Sequence, residues 1–223
     1  MQVRSLHNWD LSISEAFEVQ KWLSKKVRCE NLIKEPIERI AGIDAGYDNS
    51  KGVCRAVVTV LSFPELKLIE TKKAEVSVSF PYIPGLLSFR ESPAVVEALK
   101  KITQEPDLIF CDGQGIAHPR RFGIACHIGL LTEKPTIGVG KSRLVGKFNY
   151  PENTRGSFSS LIYKGEIIGA VVRTKENVKP IYVSVGHKLD LKAAIQYTLQ
   201  CTTKYRLPEP VRLADRIASN RRI

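Results

Sequence analysis

No apolar run in this chain approaches the roughly 18 residues a membrane-spanning helix needs, and the polar opening through Asp10 carries no signal-peptide core. The expectation is a soluble protein with no membrane partner. Cysteine is sparse and unpatterned: Cys29, Cys54, Cys111, Cys126 and Cys201 are odd in number and include no C-x-x-C pair. That spacing excludes a disulfide framework and a zinc ribbon, and suits a reducing, cytoplasmic compartment. Internal repeats, low-complexity tracts and Gly/Ser linkers are also missing, so nothing divides the chain. One domain spanning 1–223 is expected, because the length is about one and a half times a typical domain of ~150 residues. Acidic residues are the minority charge, with 23 Asp and Glu against 34 Lys and Arg and a formal net charge of +11. Such an excess points to a polyanionic partner, nucleic acid before an anionic membrane surface. A hydrophobic share of 43% excludes a disordered chain.

Local patterns predict a mixed α/β order. A capping box, Ser12 with Glu15, opens a helix whose apolar stripe is Ala16, Val19, Trp22 and Leu23. Strands are predicted at 39–48, 55–62 and 66–80, with a turn at 49–52 between the first two, giving an antiparallel meander. After a Pro/Gly loop at 81–85, helices at 93–102 and 122–131 alternate with short buried strands at 108–111 and 136–139, the pattern of parallel βα units. A hairpin of 158–163 and 166–173, a strand at 181–185 and helices at 189–203 and 209–220 complete the chain. The fold class is a mixed sheet flanked by helices.

Two carboxylates stand where carboxylates are costly. Asp44 interrupts the apolar strand Ala41-Gly42-Ile43, and Asp112 follows Leu108-Ile109-Phe110-Cys111. Desolvation penalises each unless a cation or donors compensate. On neighbouring strands they would repel each other, and a shared Mg²⁺ would relieve both. Alone, each also reads as a capping or turn residue; with Glu91 at a predicted helix start and Asp215 in the last helix, the set favours a metal site. The loop 80–91 is unusually apolar and offers Tyr82 between two prolines, which suits a wedge between stacked bases or a loop folded onto the core. Arg120 and Arg121, which with His118 follow Gly113 and Gly115, could meet phosphate or belong to a solvated basic loop. Gly138-Val139-Gly140-Lys141-Ser142 imitates a P-loop ending, but Pro135 stands where its first glycine is required and Gly146 interrupts the helix that should follow. Lys141 remains a candidate phosphate or transition-state contact, with a solvated surface lysine as the alternative. His127 reads as a core residue, His187 is undecided, and no Ser/His/Asp or Cys/His arrangement supports nucleophilic catalysis. A basic tail (Lys204, Arg206, Arg212, Arg216, Arg221 and Arg222 against Glu209 and Asp215) extends the electrostatic footprint.

Taken in order, Gly42-Ile43-Asp44, Phe80-Pro81-Tyr82-Ile83-Pro84-Gly85 through Arg90-Glu91, Asp112-Gly113-Gln114-Gly115 with His118-Pro119-Arg120, Gly138 to Ser142, and Leu207 to Asp215 resemble the endonuclease V family. The resemblance implies an RNase H-like fold and Mg²⁺-dependent hydrolysis, with Mn²⁺ as a substitute ion, of the second phosphodiester bond 3′ to deoxyinosine. The products would be a 3′-hydroxyl and a 5′-phosphate, with the lesion retained, as in DNA repair. It implies that Asp44 and Asp112 hold metal, that Glu91 joins them or positions water, and that Asp215 closes the site. Lys141 and His118 would then meet the phosphate, with Arg120, Arg121 and Ser142 on the nucleic acid. Tyr82 would be the wedge, and Gly85, Leu86, Leu87, Gly113 and Ile124 the lesion pocket. Some relatives place His where this chain has Asp215, so direct ligation by Asp215 is open. The expected partner is DNA containing deoxyinosine, bound by a monomer. Alternatives are inosine in RNA as substrate, a nuclease of this fold without lesion specificity, and a binding module without catalysis.

Overall fold

The computed structural model describes residues 1–48 and 50–219. In chain order the elements are α1 (Ile13–Ser24), β1 (Arg39–Asp48), β2 (Val53–Ser62), β3 (Leu68–Ser77), α2 (Leu87–Lys100), β4 (Leu108–Asp112) and α3 (Ile124–Thr132). There follow β5 (Thr136–Gly140), β6 (Phe158–Tyr163), β7 (Glu166–Val172), β8 (Ile181–His187), α4 (Leu191–Gln200) and α5 (Glu209–Ala218). The strands join in one sheet of order β3-β2-β1-β4-β5-β8-β7-β6. β1 to β3 form the antiparallel meander, β4 and β5 run parallel to β1, and β8 returns antiparallel to β5. This is the mixed sheet expected from the sequence.

Both faces of the sheet are covered, which is why β1 and β4 read as apolar runs and not as alternations. On one face Ile43, Ile109 and Cys111 pack with Val95 and Leu99 of α2 and Ile128 of α3. On the other, Ile40, Phe110 and Val139 pack with Ile195 of α4 and Val211 and Leu213 of α5. Fully burying one such side chain contributes about 1.5–3 kcal/mol, so the strands that carry the site are rigidly placed.

The capping box at Ser12 and Glu15 forms as predicted. Trp22 does not join the buried stripe; it is half exposed with the Lys26 ammonium 4.5 Å above its ring, and Gln20 takes the buried position instead. The larger correction is α2, which starts at Leu87 and not near Pro93. Pro93 sits inside the helix, because burial of Ser88, Phe89, Ser92, Ala94 and Val95 outweighs the one backbone bond a proline removes. Glu91 therefore lies within the helix and not at its start. Asn49 of the predicted turn, and Asn220, Arg221 and Arg222 of the tail, lie outside the described residues. The segment after Gly140 is a loop and not a helix, which agrees with setting the P-loop aside.

Candidate active site

Strand register brings the first two carboxylates together. Ile43 pairs with Cys111 in the parallel β1–β4 ladder, so Asp44, midway along β1, stands beside Asp112 at the carboxyl end of β4. Open α/β sheets place ligands at the carboxyl ends of their parallel strands. β5 runs beside β4 with Val139 opposite Asp112, and two residues later Lys141 emerges next to it. The third carboxylate arrives from α5, which lies directly on β1. A Cβ at Gly42 would meet the Pro210 carbonyl oxygen at 2.0 Å, so only glycine permits that approach. Thr59 Oγ1 donates to the same carbonyl at 3.1 Å and ties the helix start to β2.

Carboxylate oxygens of Asp44, Asp112 and Asp215 consequently lie within 4.8 Å of one another. Lys141 Nζ sits 2.5 Å from Asp112 Oδ2 and 2.5 Å from Asp215 Oδ1. Burial, reinforced by the adjacent Asp112 carboxylate and its charge, pushes the Asp44 carboxyl up to about 8 against the pull of Lys141. Glu91 rises to about 8 through burial and the charge of Asp112, with Arg90 opposing. Burial works to lower the Lys141 ammonium, but Asp112 and Asp215 outweigh it and hold the pKa above the ordinary lysine value. Negative charge is thus packed beyond what one lysine neutralises. Such an all-oxygen donor set fits a hard divalent cation.

A cavity of about 570 Å³ opens beside the carboxylates. Asp44, Glu91, Asp112, Lys141 and Asp215 line it together with Tyr82, Gly85, Leu87, Gly113, His118, Ile124 and Ser142. Leu86 is the exception among the expected pocket residues. It turns inward, 1% exposed, into a small core with Phe80, Phe89 and Ala16. That core anchors the loop while Tyr82, at 66% exposure, stands out at the cavity rim. The flanks of the loop therefore pack onto the core while its tip projects.

His118 is buried, and burial with Arg120 nearby lowers it to about 4, so it is a neutral imidazole at pH 7. Its Nδ1 accepts from the Arg120 amide. Arg120 turns from the cavity; it donates to Gln20 Oε1 and to the Gly85 carbonyl and lies over the Phe17 ring. Arg121 pairs with Glu166 at 2.7 Å and donates to the Tyr163 carbonyl. His127 is a core residue as expected, with one nitrogen bonded to His7. His187 is settled as structural: it ends β8, buried, with Nδ1 accepting from the Arg28 amide.

Three supporting residues escaped the sequence reading. Fully buried Gln20 donates to the Gly85 and Phe122 carbonyls and fixes the pocket loop from α1. Gln114 donates to the Ser142 carbonyl at 3.0 Å and holds the loop after Lys141. Ser184 Oγ accepts from the Gly115 amide. Only Gln20 left a trace in the sequence, a polar residue on an otherwise apolar helical stripe between Ala16 and Leu23.

Carboxylates from β1, the end of β4 and α5 clustered on a mixed sheet, one lysine among them, in a strongly basic chain define an α/β phosphodiesterase-type enzyme acting on nucleic acid. A family model described as Endonuclease V matches residues 21–216. An endonuclease V from Nostoc sp. is 54% identical over 221 residues, covering 99% of this chain and 100% of the relative. The crystal structure of the endonuclease V from Streptomyces avermitilis superposes with a TM-score of 0.92 at 42% identity, covering 99% of this chain and 97% of that one. The Ciona intestinalis endonuclease V, solved in complex with a 24mer DNA containing an inosine followed by a ribo-adenosine, gives a TM-score of 0.80 at 30% identity, over 93% and 96% of the two chains. This chain belongs to the endonuclease V family and is an endonuclease.

Proposed function

We propose that residues 1–223 act as one catalytic domain, in a cytoplasmic monomer, that nicks DNA at the second phosphodiester bond 3′ to deoxyinosine. The observation that carries this reading is the carboxylate trio Asp44, Asp112 and Asp215, with oxygens within 4.8 Å, at a cavity whose rim presents Tyr82. Asp44 and Asp112 would hold the ion, with Asp215 completing the set from α5. Mg²⁺ fits these oxygens, Mn²⁺ can replace it, and either would acidify bound water and neutralise phosphate charge.

The chain's own residues supply the rest. Glu91 lies outside the trio but lines the same cavity, where it positions the attacking water and takes its proton. Water oxygen bonds to phosphorus as the P–O3′ bond breaks, giving a 3′-hydroxyl and a 5′-phosphate. Lys141, beside Asp112 and Asp215, offsets charge on the phosphate, with Ser142 next to it. Neutral His118 adds a hydrogen bond without a second full charge. Tyr82 fills the stack when the lesion leaves it, and Gly85, Leu87, Gly113 and Ile124 enclose the extruded base. Arg120 and Arg121, already held by protein groups, order the pocket wall. The deciding experiment compares one duplex with and without a single deoxyinosine, in Mg²⁺ and in chelator. Cleavage only with both lesion and metal supports the reading, and lesion-independent cleavage or metal-independent cleavage defeats it. The same duplex with a ribonucleotide after the lesion reads the sugar preference.

A further inference from the structure

The loop that begins at Lys141 does not end at the active site. Its first residues, through Leu144, line the main cavity, and its end carries Phe148 and Tyr150, which do not. Backbone bonds in both directions between Lys147 and Ile162 (2.7 and 2.9 Å) pin the loop to β6. The Phe148 ring meets Tyr150 at 5.2 Å and Tyr182 of β8 at 5.6 Å, both edge-on. Phe148 and Tyr182 pack onto a small core beneath, so they hold Tyr150 up while it stays 75% exposed. The Arg143 guanidinium lies 5.8 Å from the Phe148 ring. Arg206 donates to the Lys141 carbonyl at 2.8 Å, which joins the cluster to the base of the loop. A ring held out to water on packed aromatic neighbours and beside cations is the pattern of surfaces that track single strands, where bases stack and phosphates pair.

We propose that this cluster is a stacking track for the strand on the 3′ side of the cut, with Tyr150 as its outermost platform. The inference rests on the function proposed above and adds a binding site to it. Tyr82 stands on the β1 side of the carboxylates, sharing a second cavity with Tyr47 and Cys54. The track stands on the other side, on the loop after β5 and on β8. A strand whose lesion lies in the pocket and whose cut lies at the carboxylates, one step further 3′, arrives at the track with its 3′ nucleotides. The occupant is nucleic acid and not an apolar partner, because Arg143 lies over Phe148 and Arg206 acts on Tyr182, and Arg143 also lines the catalytic cavity, so the surface continues from it.

The test measures binding of inosine oligonucleotides whose 3′ or 5′ flank is trimmed one nucleotide at a time, with Ca²⁺ in place of Mg²⁺ to block cleavage. Tyr150→Ala should lose about tenfold in affinity when the 3′ flank is long, the worth of one stacked base. It should match wild type once that flank is removed, and Tyr150→Phe should behave as wild type throughout. The exposed position makes an unchanged melting temperature the expected control. Wild type that prefers inosine while Tyr150→Ala keeps full 3′-flank dependence overturns the track and leaves the function standing. A loss that follows the 5′ flank, or a concentration-dependent dimer abolished by Tyr150→Ala, overturns it too. Wild type with no inosine preference overturns both.

Discussion

Asp44 is the residue whose environment conflicts most with its charge. It stands inside an apolar strand beside Asp112, and sits near 8 because burial and that neighbour both resist ionisation. Asp44→Asn keeps the shape and removes the charge, so the fold should hold and binding to inosine DNA should be unchanged or tighter. Cleavage in Mg²⁺ should drop by at least ~10³-fold, the scale of an essential electrostatic group; a mutant that still cuts in Mg²⁺ ends the metal assignment. Tyr82 makes a different kind of contribution. Its loop is already anchored by Phe80, Leu86 and Phe89, so little ordering is needed when DNA arrives. Tyr82→Ala should weaken inosine-duplex binding roughly 10- to 100-fold, for stacking worth about 1–3 kcal/mol, whereas Tyr82→Phe should be near neutral. Single-stranded inosine substrate should suffer less, and equal inosine preference in wild type and Tyr82→Ala would remove the wedge. These residues were legible because each breaks a local rule: a carboxylate inside an apolar strand, an aromatic between two prolines. Gln114 and Ser184 break none, and their partners stand 28 and 69 residues away. Contacts that distant leave no local pattern.

At the scale of elements, α5 reaches the site through one missing side chain. The Gly42 backbone lets the Pro210 carbonyl approach β1, and Asp215 follows one helical turn and a half along. Gly42→Ala inserts a methyl where no space exists, and overpacking of that kind costs about 1–3 kcal/mol. If α5 yields instead, Asp215 moves away from Asp44 and Asp112, and misplacement by ~1 Å can cost on the order of 10²-fold in rate. Gly46→Ala, on the same strand with nothing within 4 Å of the new Cβ, is the matched control and should be silent. Equal melting temperatures and rates in the two mutants would show that α5 does not depend on the close approach. The strand boundaries of β1 were readable from the apolar run and its flanking turn signals. The start of α2 was not, because a proline reads as a break until the burial of its neighbours is known. That single misreading moved Glu91 from a helix start to a helix interior.

For the whole molecule, the site's excess of negative charge should be visible as a pH dependence of folding. Asp44 and Glu91 rise from ordinary values of 3.8 and 4.5 to about 8 in the folded protein. Between those limits the folded state binds more protons than the unfolded one, so these groups make stability fall as pH rises. Buried His118 and His187, lowered to about 4 from 6.5, act in the opposite direction, because the folded state then binds fewer protons and stability rises with pH. Their effect, like that of His127, ends near pH 6.5, above which these histidines are neutral folded or unfolded. The window from pH 6.5 to 8 therefore isolates the carboxylates. In chelator the melting temperature should decline across it, by up to about 1.4 kcal/mol of stability per pH unit for each carboxyl that must ionise. A divalent cation held by Asp44 displaces its proton, and the ion's charge draws the proton from nearby Glu91, so its apparent affinity should rise up to about tenfold per pH unit for each proton released. Mg²⁺ should thus stabilise the protein little at pH 6.5 and substantially at pH 8, flattening the decline. Thermal melts at both pH values, with chelator and with Mg²⁺, measure this directly. No decline in chelator would return Asp44 and Glu91 to ordinary acidity, and an Mg²⁺ shift equal at both pH values would place the ion away from them.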